Sequence, residues 1–376
     1  MKIPAAILLT GLVALPLAAQ APARVPLVNG LTIVTAVSEK LGDYESIKTI
    51  DAVTADTVHI LYSAQTPNGQ DAAGKPLVRN VAVTRVVRRE DLKSAHEYMQ
   101  TFNTAGPEVY PGTTSISAST AVLTDLKTTG ATAFTFQTPG REPSMDKILG
   151  AFTGAGKGQQ APSLGDLAKS LDANKAAGTL KRVEAAAVAF PVLVNDQRVA
   201  LSAIHAKGDF DGVAGEFYFL DDVDHPIVLS FDTGKVQGHL QVVRMSFPLD
   251  HTAPPQIEQA LAKEGRAELH GIYFDFGRAT LRPESDPVLQ EIADALVKNP
   301  SWTVSVEGHT DNIGTDQTNL DLSKRRADAV RDALVTKYRV ASSRLTTAGF
   351  GASRPKEPNT TLEGRARNRR VELVRK

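Results

Sequence analysis

Between residue 25 and about residue 250, hydrophobic and polar positions alternate along the chain with a period of two. The segment DTVHILYSA places Val58, Ile60 and Tyr62 on one face, and LQVVRMSF alternates in the same way. This is the period of a β-strand, whose successive side chains point to opposite faces of a sheet. Similar segments separated by turn sequences such as TPNGQ and GDFDG predict that residues 22–253 form a β-rich domain.

Two segments interrupt this alternation. The stretch from Asp91 to Phe102 is predicted to be helical, and the Gly-, Ala- and Gln-rich stretch from Gly150 to Ser163 is typical of a flexible loop. Several strands, such as PIVLSF, are apolar on both faces, and the one tryptophan of the chain, Trp302, lies outside this region. Short strands without aromatic girdles favour a soluble domain over a membrane-spanning one. The sequence does not indicate what this domain does.

The periodicity changes after about residue 253. Residues 254–268 predict a linker that passes into a short helix, and GIYFDFGRATLR then predicts a strand that contains Ile272 and Phe274. PESDPVLQEIADALVKNP follows with apolar residues at helical spacing, and WTVSVEG alternates again. A second helix is predicted to begin at Thr318, with Asp321 in the position of a capping box.

LTTAGFG and RRVELV supply two further strands. Residues 269–376 are therefore predicted to form a β-α-β-α-β-β sandwich, with one sheet and its helices on one side. The chain as a whole is assigned to the α+β class.

The first 21 residues have the features of a secretory signal peptide. Lys2 precedes an apolar run from Ile3 to about Ala19, and small residues follow up to Ala21. The alternative is an uncleaved anchor, but the run is interrupted by proline and is short for a membrane span. The protein is therefore expected to be exported, to the periplasm or in association with the outer membrane.

The amino-acid composition excludes several classes of function. Lys and Arg together number 42, as do Asp and Glu, so the balance does not indicate a nucleic-acid partner. The chain contains no cysteine, which excludes disulfides, thiolate metal sites, a cysteine nucleophile and a lipid-modified N-terminal cysteine. The histidines show no metal-ligand spacing, and His309 in GHTD lacks a nearby nucleophile, so neither a cofactor nor a metal is predicted.

The segment GHTDNIGTDQTNLDLSKRRADAV carries the clearest candidate chemistry. Asp311 follows a strand end in a loop that Gly308 and Gly314 flank, and Arg326 lies fifteen positions later on a predicted helix. An acid and a base that face one pocket suit a zwitterion, because the planar guanidinium of arginine meets a carboxylate through two parallel hydrogen bonds. The alternatives are an Asx-turn for Asp311 and a solvated helix face for Arg326.

Five blocks in the same part of the chain carry a family resemblance: FDFGRATL, VEGHTDNIG, NLDLSKRRA, AGFGASRP and EGRARNRRVEL. In this order they resemble the OmpA-like C-terminal domain, the peptidoglycan-associating module of envelope proteins. The resemblance implies that Asp311 and Arg326 hold the diaminopimelate end of a peptidoglycan stem peptide. Asn319, Asp275 and Arg369 are further candidates for contact with this ligand. The alternatives are that Asn319 holds the loop or caps the helix and that Arg369 has a packing role. Family members often carry asparagine where this chain has Gly277, which leaves a side-chain contact from that loop in doubt.

These observations predict a non-enzymatic protein that binds peptidoglycan noncovalently and anchors itself in the cell envelope. An outer-membrane barrel protein and a motor- or secretion-complex anchor that carry the same module are alternatives. A cell-wall hydrolase in the first domain is a weaker alternative, because no catalytic set can be assembled from the sequence. The N-terminal domain leaves open a second partner, an outer-membrane or envelope protein.

Overall fold

The alternating segments form strands. The computed structural model describes residues 24–39, 42–70, 76–100, 102, 107–137, 175–234, 238–248 and 256–376. The predicted signal peptide and the predicted loop from Gly150 to Ser163 lie outside these residues. We call the described part of residues 24–248 the N-terminal region and residues 256–376 the C-terminal region.

The N-terminal region consists mainly of strands. In chain order its elements are β1 (Thr32–Glu39), β2 (Gly42–Val53), β3 (Thr57–Gln70), β4 (Pro76–Arg88), α1 (Arg89–Ser94), β5 (Glu97–Tyr98), β6 (Glu108–Val109), β7 (Thr113–Thr114), α2 (Thr120–Thr128), β8 (Ala131–Gln137), β9 (Lys175–Arg182), β10 (Val188–Val194), β11 (Gln197–Phe210), β12 (Val213–Leu220), β13 (Val228–Asp232) and β14 (His239–Ser246). Within the described residues they join one sheet in the order β6-β4-β3-β2-β1-β14-β13-β12-β11-β9-β8-β5-β7, and β10 pairs with β11 and β14. This region is therefore β-rich, as the alternation predicts.

Near β12 and β13 the sheet covers a separate apolar core on each face. Strand β12 places Phe217 and Phe219 in one core, where they meet Phe134 edge to face. The alternate residue Leu220 lies in the other core, which partly buried Tyr218 also contacts. The period of two thus continues through strands that have no solvated face.

The prediction of a helix from Asp91 to Phe102 is wrong after Ser94. Helix α1 ends at Ser94, and Glu97–Tyr98 is a strand, β5, that pairs in parallel with β7 and β8. The Tyr98 ring is buried beside Phe134 in the aromatic core. Burial of this ring against the sheet therefore outweighs the helical propensity of the segment.

The C-terminal region is a smaller mixed structure. Its elements are α3 (Gln256–Glu264), β15 (Arg266–Leu269), α4 (Asp286–Lys298), β16 (Val304–Gly308), α5 (Asp316–Thr336), β17 (Leu345–Gly349), α6 (Leu362–Asn368) and β18 (Val371–Arg375). The strands form a sheet in the order β15-β18-β16-β17, and residues of α3, α4 and α5 share one apolar core with it. Among the described residues, no helix has both the length and the apolar character needed to span a membrane.

The predicted element order of this region needs correction. The first strand is β15, and residues 271–281 form a loop in which Phe274 makes a single bridge to Leu281. This loop closes on itself through backbone hydrogen bonds and through Ser285, whose hydroxyl accepts from the Tyr273 amide. Helix α6 lies between the last two strands, so the order is β-α-β-α-β-α-β instead of β-α-β-α-β-β. Alternation over a few residues cannot separate a strand from a loop that packs on a core.

The two regions are in contact through both charged and apolar groups. Arg365 on α6 forms an ion pair with Asp43 on β2, with 2.7 Å between Nη2 and the carboxylate. Arg244 on β14 donates to the hydroxyl of Tyr273 at 2.5 Å. An apolar cluster of Val34, Ala36, Val243 and Leu362 also crosses the boundary. The C-terminal region is thus packed against the β14-β1-β2 part of the large sheet.

Candidate functional site

A cavity of about 560 Å³ lies where the two regions meet. Residues of β2 and β3 form one wall, and the loop after β16, helix α5 and the end of α6 form the other. The charged and polar groups on its surface include Glu45 and Gln65 from the first wall and Asp311, Asn319, Arg326 and Arg369 from the second. The cavity therefore contains four of the five candidate residues that the sequence singled out.

Asp311 lies in the loop that follows β16, three residues after the strand ends at Gly308. The residue is buried, and its Oδ1 accepts a hydrogen bond from the amide of Ile313 at 3.0 Å, which is an Asx-turn. Its Oδ2 accepts from Nη1 of Arg369 at 2.7 Å. The Asx-turn thus fixes the carboxylate toward the cavity, so that the local turn and a binding role are compatible.

Asn319 holds the loop that carries Asp311. Its Nδ2 donates to the backbone oxygens of Asp311 and Ile313, at 3.3 and 3.1 Å. It does not cap the helix, because Thr315 is the N-cap residue of α5 and its hydroxyl accepts from the Thr318 amide in a capping box. The predicted start at Thr318 was therefore three residues late.

Arg326 lies on α5 and faces the same cavity. Its Nε donates to the backbone oxygen of Arg278 at 3.0 Å, and its guanidinium carbon lies 4.9 Å from the ring centre of Phe274. Burial and the positive charge of Arg369 lower the pKa of Arg326 to about 10, so the group stays charged at neutral pH. Among the described residues, no carboxylate forms an ion pair with it. A half-buried guanidinium in this setting is suited to an anionic ligand.

Arg369 connects the two walls. It follows the last residue of α6, donates through Nη1 to Asp311 and donates through Nη2 to Oε1 of Glu45 at 2.6 Å. The sequence indicated Arg369 as a residue that lines the pocket, but gave no sign of Glu45. Glu45 is 266 residues from Asp311 in the chain, and no motif spacing joins positions on separate sheets.

Asp275 has a different environment from the other candidates. Its Oδ1 accepts from Nε2 of Gln65 on β3 at 2.7 Å, while its neighbours Phe274, Phe276 and Gly277 line the cavity. Gly277 has a φ of 63°, a left-handed conformation that glycine adopts freely and asparagine tolerates better than most residues. The backbone therefore accounts for glycine at a position where relatives of the resembled family carry asparagine.

A buried charged cluster lies next to the site. Glu307, His309 and Glu372 bring ligand-type atoms within 4.8 Å of one another. However, Arg370 donates to Glu372 at 2.7 Å, and Arg266 also pairs with that carboxylate. Burial, with the nearby charge of Arg370, lowers the pKa of His309 to about 4. These arginines already neutralise the carboxylates, so the cluster is a structural ion network beneath the loop.

The comparisons with known proteins each match a part of this chain. Residues 273–369 match the model of the OmpA family. The outer membrane porin F of Pseudomonas aeruginosa is 46% identical over 113 residues, which are 30% of this chain and 32% of the relative. The peptidoglycan-binding protein ArfA of Mycobacterium bovis is 42% identical over 103 residues, 27% of this chain and 31% of the relative. The chain thus spans about a third of the length of each.

Among solved structures, the peptidoglycan-associated lipoprotein from Burkholderia pseudomallei is 30% identical to this chain. The similarity covers 35% of this chain and 100% of that chain, with a TM-score of 0.28. Residues 273–369, which the family model matches, include Asp311, Arg326 and Arg369. Residues 273–369 are therefore a domain of the OmpA family.

Proposed function

We propose that the C-terminal region binds peptidoglycan noncovalently and thereby anchors the protein in the cell envelope. The observation that carries this proposal is that Asp311 and Arg326 line one cavity. The guanidinium of Arg326 forms no ion pair with a described carboxylate. The name of the relative ArfA, a peptidoglycan-binding protein, supports peptidoglycan as the ligand. The protein then acts in the periplasm or at the outer membrane, and its role is binding instead of catalysis.

The ligand group is the distal end of diaminopimelate in an uncrosslinked stem peptide. That end carries an ammonium and a carboxylate on one carbon, and so matches an acid and a base in one cavity. The ammonium binds near Asp311, and the carboxylate binds the guanidinium of Arg326 through paired hydrogen bonds. Two partly solvated charge pairs give only modest affinity, which many copies on a polymeric wall increase through avidity.

Co-sedimentation of the full chain with insoluble diaminopimelate-type peptidoglycan tests this proposal. Arg326→Ala should weaken binding about thirtyfold, because hydrogen bonds between charged groups contribute about 2 kcal/mol. Arg325→Ala is the matched control, since that exposed neighbour on α5 pairs with Asp321 and does not line the cavity. Equal sedimentation of the wild type and Arg326→Ala would contradict the proposal.

A comparison of two soluble stem peptides tests the identity of the ligand group. Lysine in place of diaminopimelate keeps the ammonium but removes the distal carboxylate. The wild type should therefore bind the lysine peptide at least about tenfold more weakly than the diaminopimelate peptide. Arg326→Ala should bind both peptides with the same affinity. If the wild type does not discriminate between them, the carboxylate is not what Arg326 binds.

A further inference from the structure

Charged side chains of both regions line the cavity. Arg369 lies between two carboxylates, Asp311 of the C-terminal region and Glu45 of the N-terminal region, at 2.7 and 2.6 Å. All three side chains are largely buried, with exposed fractions of 21% for Arg369, 9% for Asp311 and 28% for Glu45. Among the side chains that line this end of the cavity, one guanidinium and two carboxylates leave a net charge of −1.

Without Glu45, the charge at this end would differ. Arg369 would then pair with Asp311 alone, and an ion pair of one acid and one base has no net charge. A ligand ammonium would gain little from a carboxylate that a neighbouring guanidinium already neutralises. Glu45 shares the guanidinium with Asp311, so Asp311 keeps negative potential and a carboxylate lone pair for the ligand.

The other groups around Glu45 keep it ionised. Burial by itself raises the pKa of Glu45, but the nearby guanidinium groups of Arg369, Arg244 and Arg326 outweigh burial and hold that pKa below its usual range. The site therefore has a negative end at Asp311 and Glu45 and a positive end at Arg326. This polarity fits a zwitterion.

Two parallel ion pairs hold Glu45 in place. Asp43 and Glu45 are two residues apart on β2 and point to the same face, while Arg365 and Arg369 are four residues apart at the end of α6. Residues at i and i+2 of a strand and at i and i+4 of a helix have similar separations of about 6–7 Å. Asp43 therefore pairs with Arg365 as Glu45 pairs with Arg369.

We propose that Glu45 of the N-terminal region is a positioning residue of the ligand site, because it shares Arg369 and leaves Asp311 with net negative charge for a zwitterionic amino-acid end. This inference rests on the proposed function of the C-terminal region. It adds that the site is complete only while the two regions are packed together. Ligand binding and the packing of the regions then stabilise each other.

The test measures the affinity of the full chain for a soluble stem peptide that ends in diaminopimelate, by calorimetry. Glu45→Gln should weaken binding about tenfold, because the ammonium then meets a neutralised Asp311. The double variant Glu45→Gln with Arg369→Gln restores a net charge of −1 on Asp311 alone, and should bind more tightly than Glu45→Gln. Asp51→Asn, an exposed change on the same strand, is the matched control and should leave affinity unchanged.

The outcomes separate this inference from the proposed function. If Arg326→Ala loses binding but Glu45→Gln binds like the wild type, only the role of Glu45 is wrong. Tighter binding by Glu45→Gln would mean that the N-terminal region covers the site, and would overturn the inference. A double variant that binds more weakly than either single variant would also overturn it, because a purely structural role predicts additive losses. If the wild type does not bind the peptide, the proposed function itself fails.

Discussion

The two walls of the cavity hold their charged groups in different ways. In the C-terminal wall, Asp311 is fixed by its own turn, Asn319 ties the loop to α5, and Arg326 lies on a helix of 21 residues. In the N-terminal wall, Glu45 lies on an extended strand, and its place beside Asp311 depends on the contact between the regions. The first wall is therefore set by folding within one region, whereas the second requires the tertiary contact.

This difference implies that each wall can be disturbed separately. Changes under the loop should affect the stability of the C-terminal region, and changes at the boundary should affect the coupling between the regions. Trp302 is the one tryptophan of the chain and lies in the C-terminal region, so its fluorescence reports that region. The strand component of the far-ultraviolet circular dichroism spectrum, resolved from the helix component, reports mainly the N-terminal region, which contains β1 to β14.

The largest expected effect is at Gly308, beneath the C-terminal wall. A Cβ at this position would lie 2.1 Å from the backbone oxygen of Ser323, so Gly308→Ala must push α5 away from β16. We expect a loss of about 3 kcal/mol in unfolding free energy, measured by denaturant titration of Trp302 fluorescence. Gly277→Ala is the control, since nothing lies within 4 Å and the left-handed φ costs only about 1 kcal/mol. Equal losses for the two variants would contradict the packing argument.

The next effect is a pH dependence that separates the regions. Burial lowers the pKa of His225 in the N-terminal region and of His309 in the C-terminal region to about 4. The unfolded chain takes up protons as pH falls below about 6.5 while the folded chain does not, so stability falls between about pH 6.5 and pH 4. At pH 5 the loss should be about 2 kcal/mol for each histidine.

His309→Gln should reduce this pH dependence by about half as seen by Trp302 fluorescence, because burial also lowers the pKa of His270 in the same region to about 4. His225→Gln should flatten the pH dependence as seen by circular dichroism. The physical reason is that glutamine does not titrate in this range. A wild-type pH slope in the fluorescence of His309→Gln would show that this histidine is not the titrating group. If either variant flattened both signals, the regions would unfold as one unit.

A smaller effect is expected from the boundary itself. Arg365→Ala leaves Asp43 without its partner across the regions, and both side chains are largely buried. We expect a loss of about 1.5 kcal/mol, less than for a fully buried pair because water reaches part of this one. The circular dichroism and fluorescence transitions should move apart in denaturant. Arg331→Ala, at an exposed pair with Asp332, should change neither, and the same shift in both variants would refute the coupling.

The smallest effect should come from the first turn of α5. Thr315→Ala removes the capping box at the start of the helix that carries Arg326, which should cost about 1 kcal/mol in the fluorescence transition. Thr336→Ala at the other end of α5 is the control, since its hydroxyl bonds only to the backbone oxygen of Asp332. A larger loss of stability for Thr336→Ala than for Thr315→Ala would contradict the role of the capping box in stabilising α5.

Local patterns predicted the elements that local forces determine. Alternation predicted β3 and β14, and apolar residues at helical spacing predicted α4, because burial of one face is encoded in neighbouring positions. The same reasoning was wrong at Ile272 and beyond Ser94. There the buried side chains contact distant parts of the chain, and the short sequence is compatible with both a strand and another structure.

The sequence by itself indicated the family of residues 273–369 through its five blocks. It also predicted that Asp311 and Arg326 face one cavity, because a strand end, a loop and a helix lie within one continuous segment. Only the tertiary structure decided that Arg369 pairs with Asp311, that Gln65 donates a hydrogen bond to Asp275, and that Glu45 supplies a second carboxylate to the cavity. The physical reason is that the net charge of a cavity depends on every group that faces it, and part of this cavity is formed by residues more than 200 positions away in the chain.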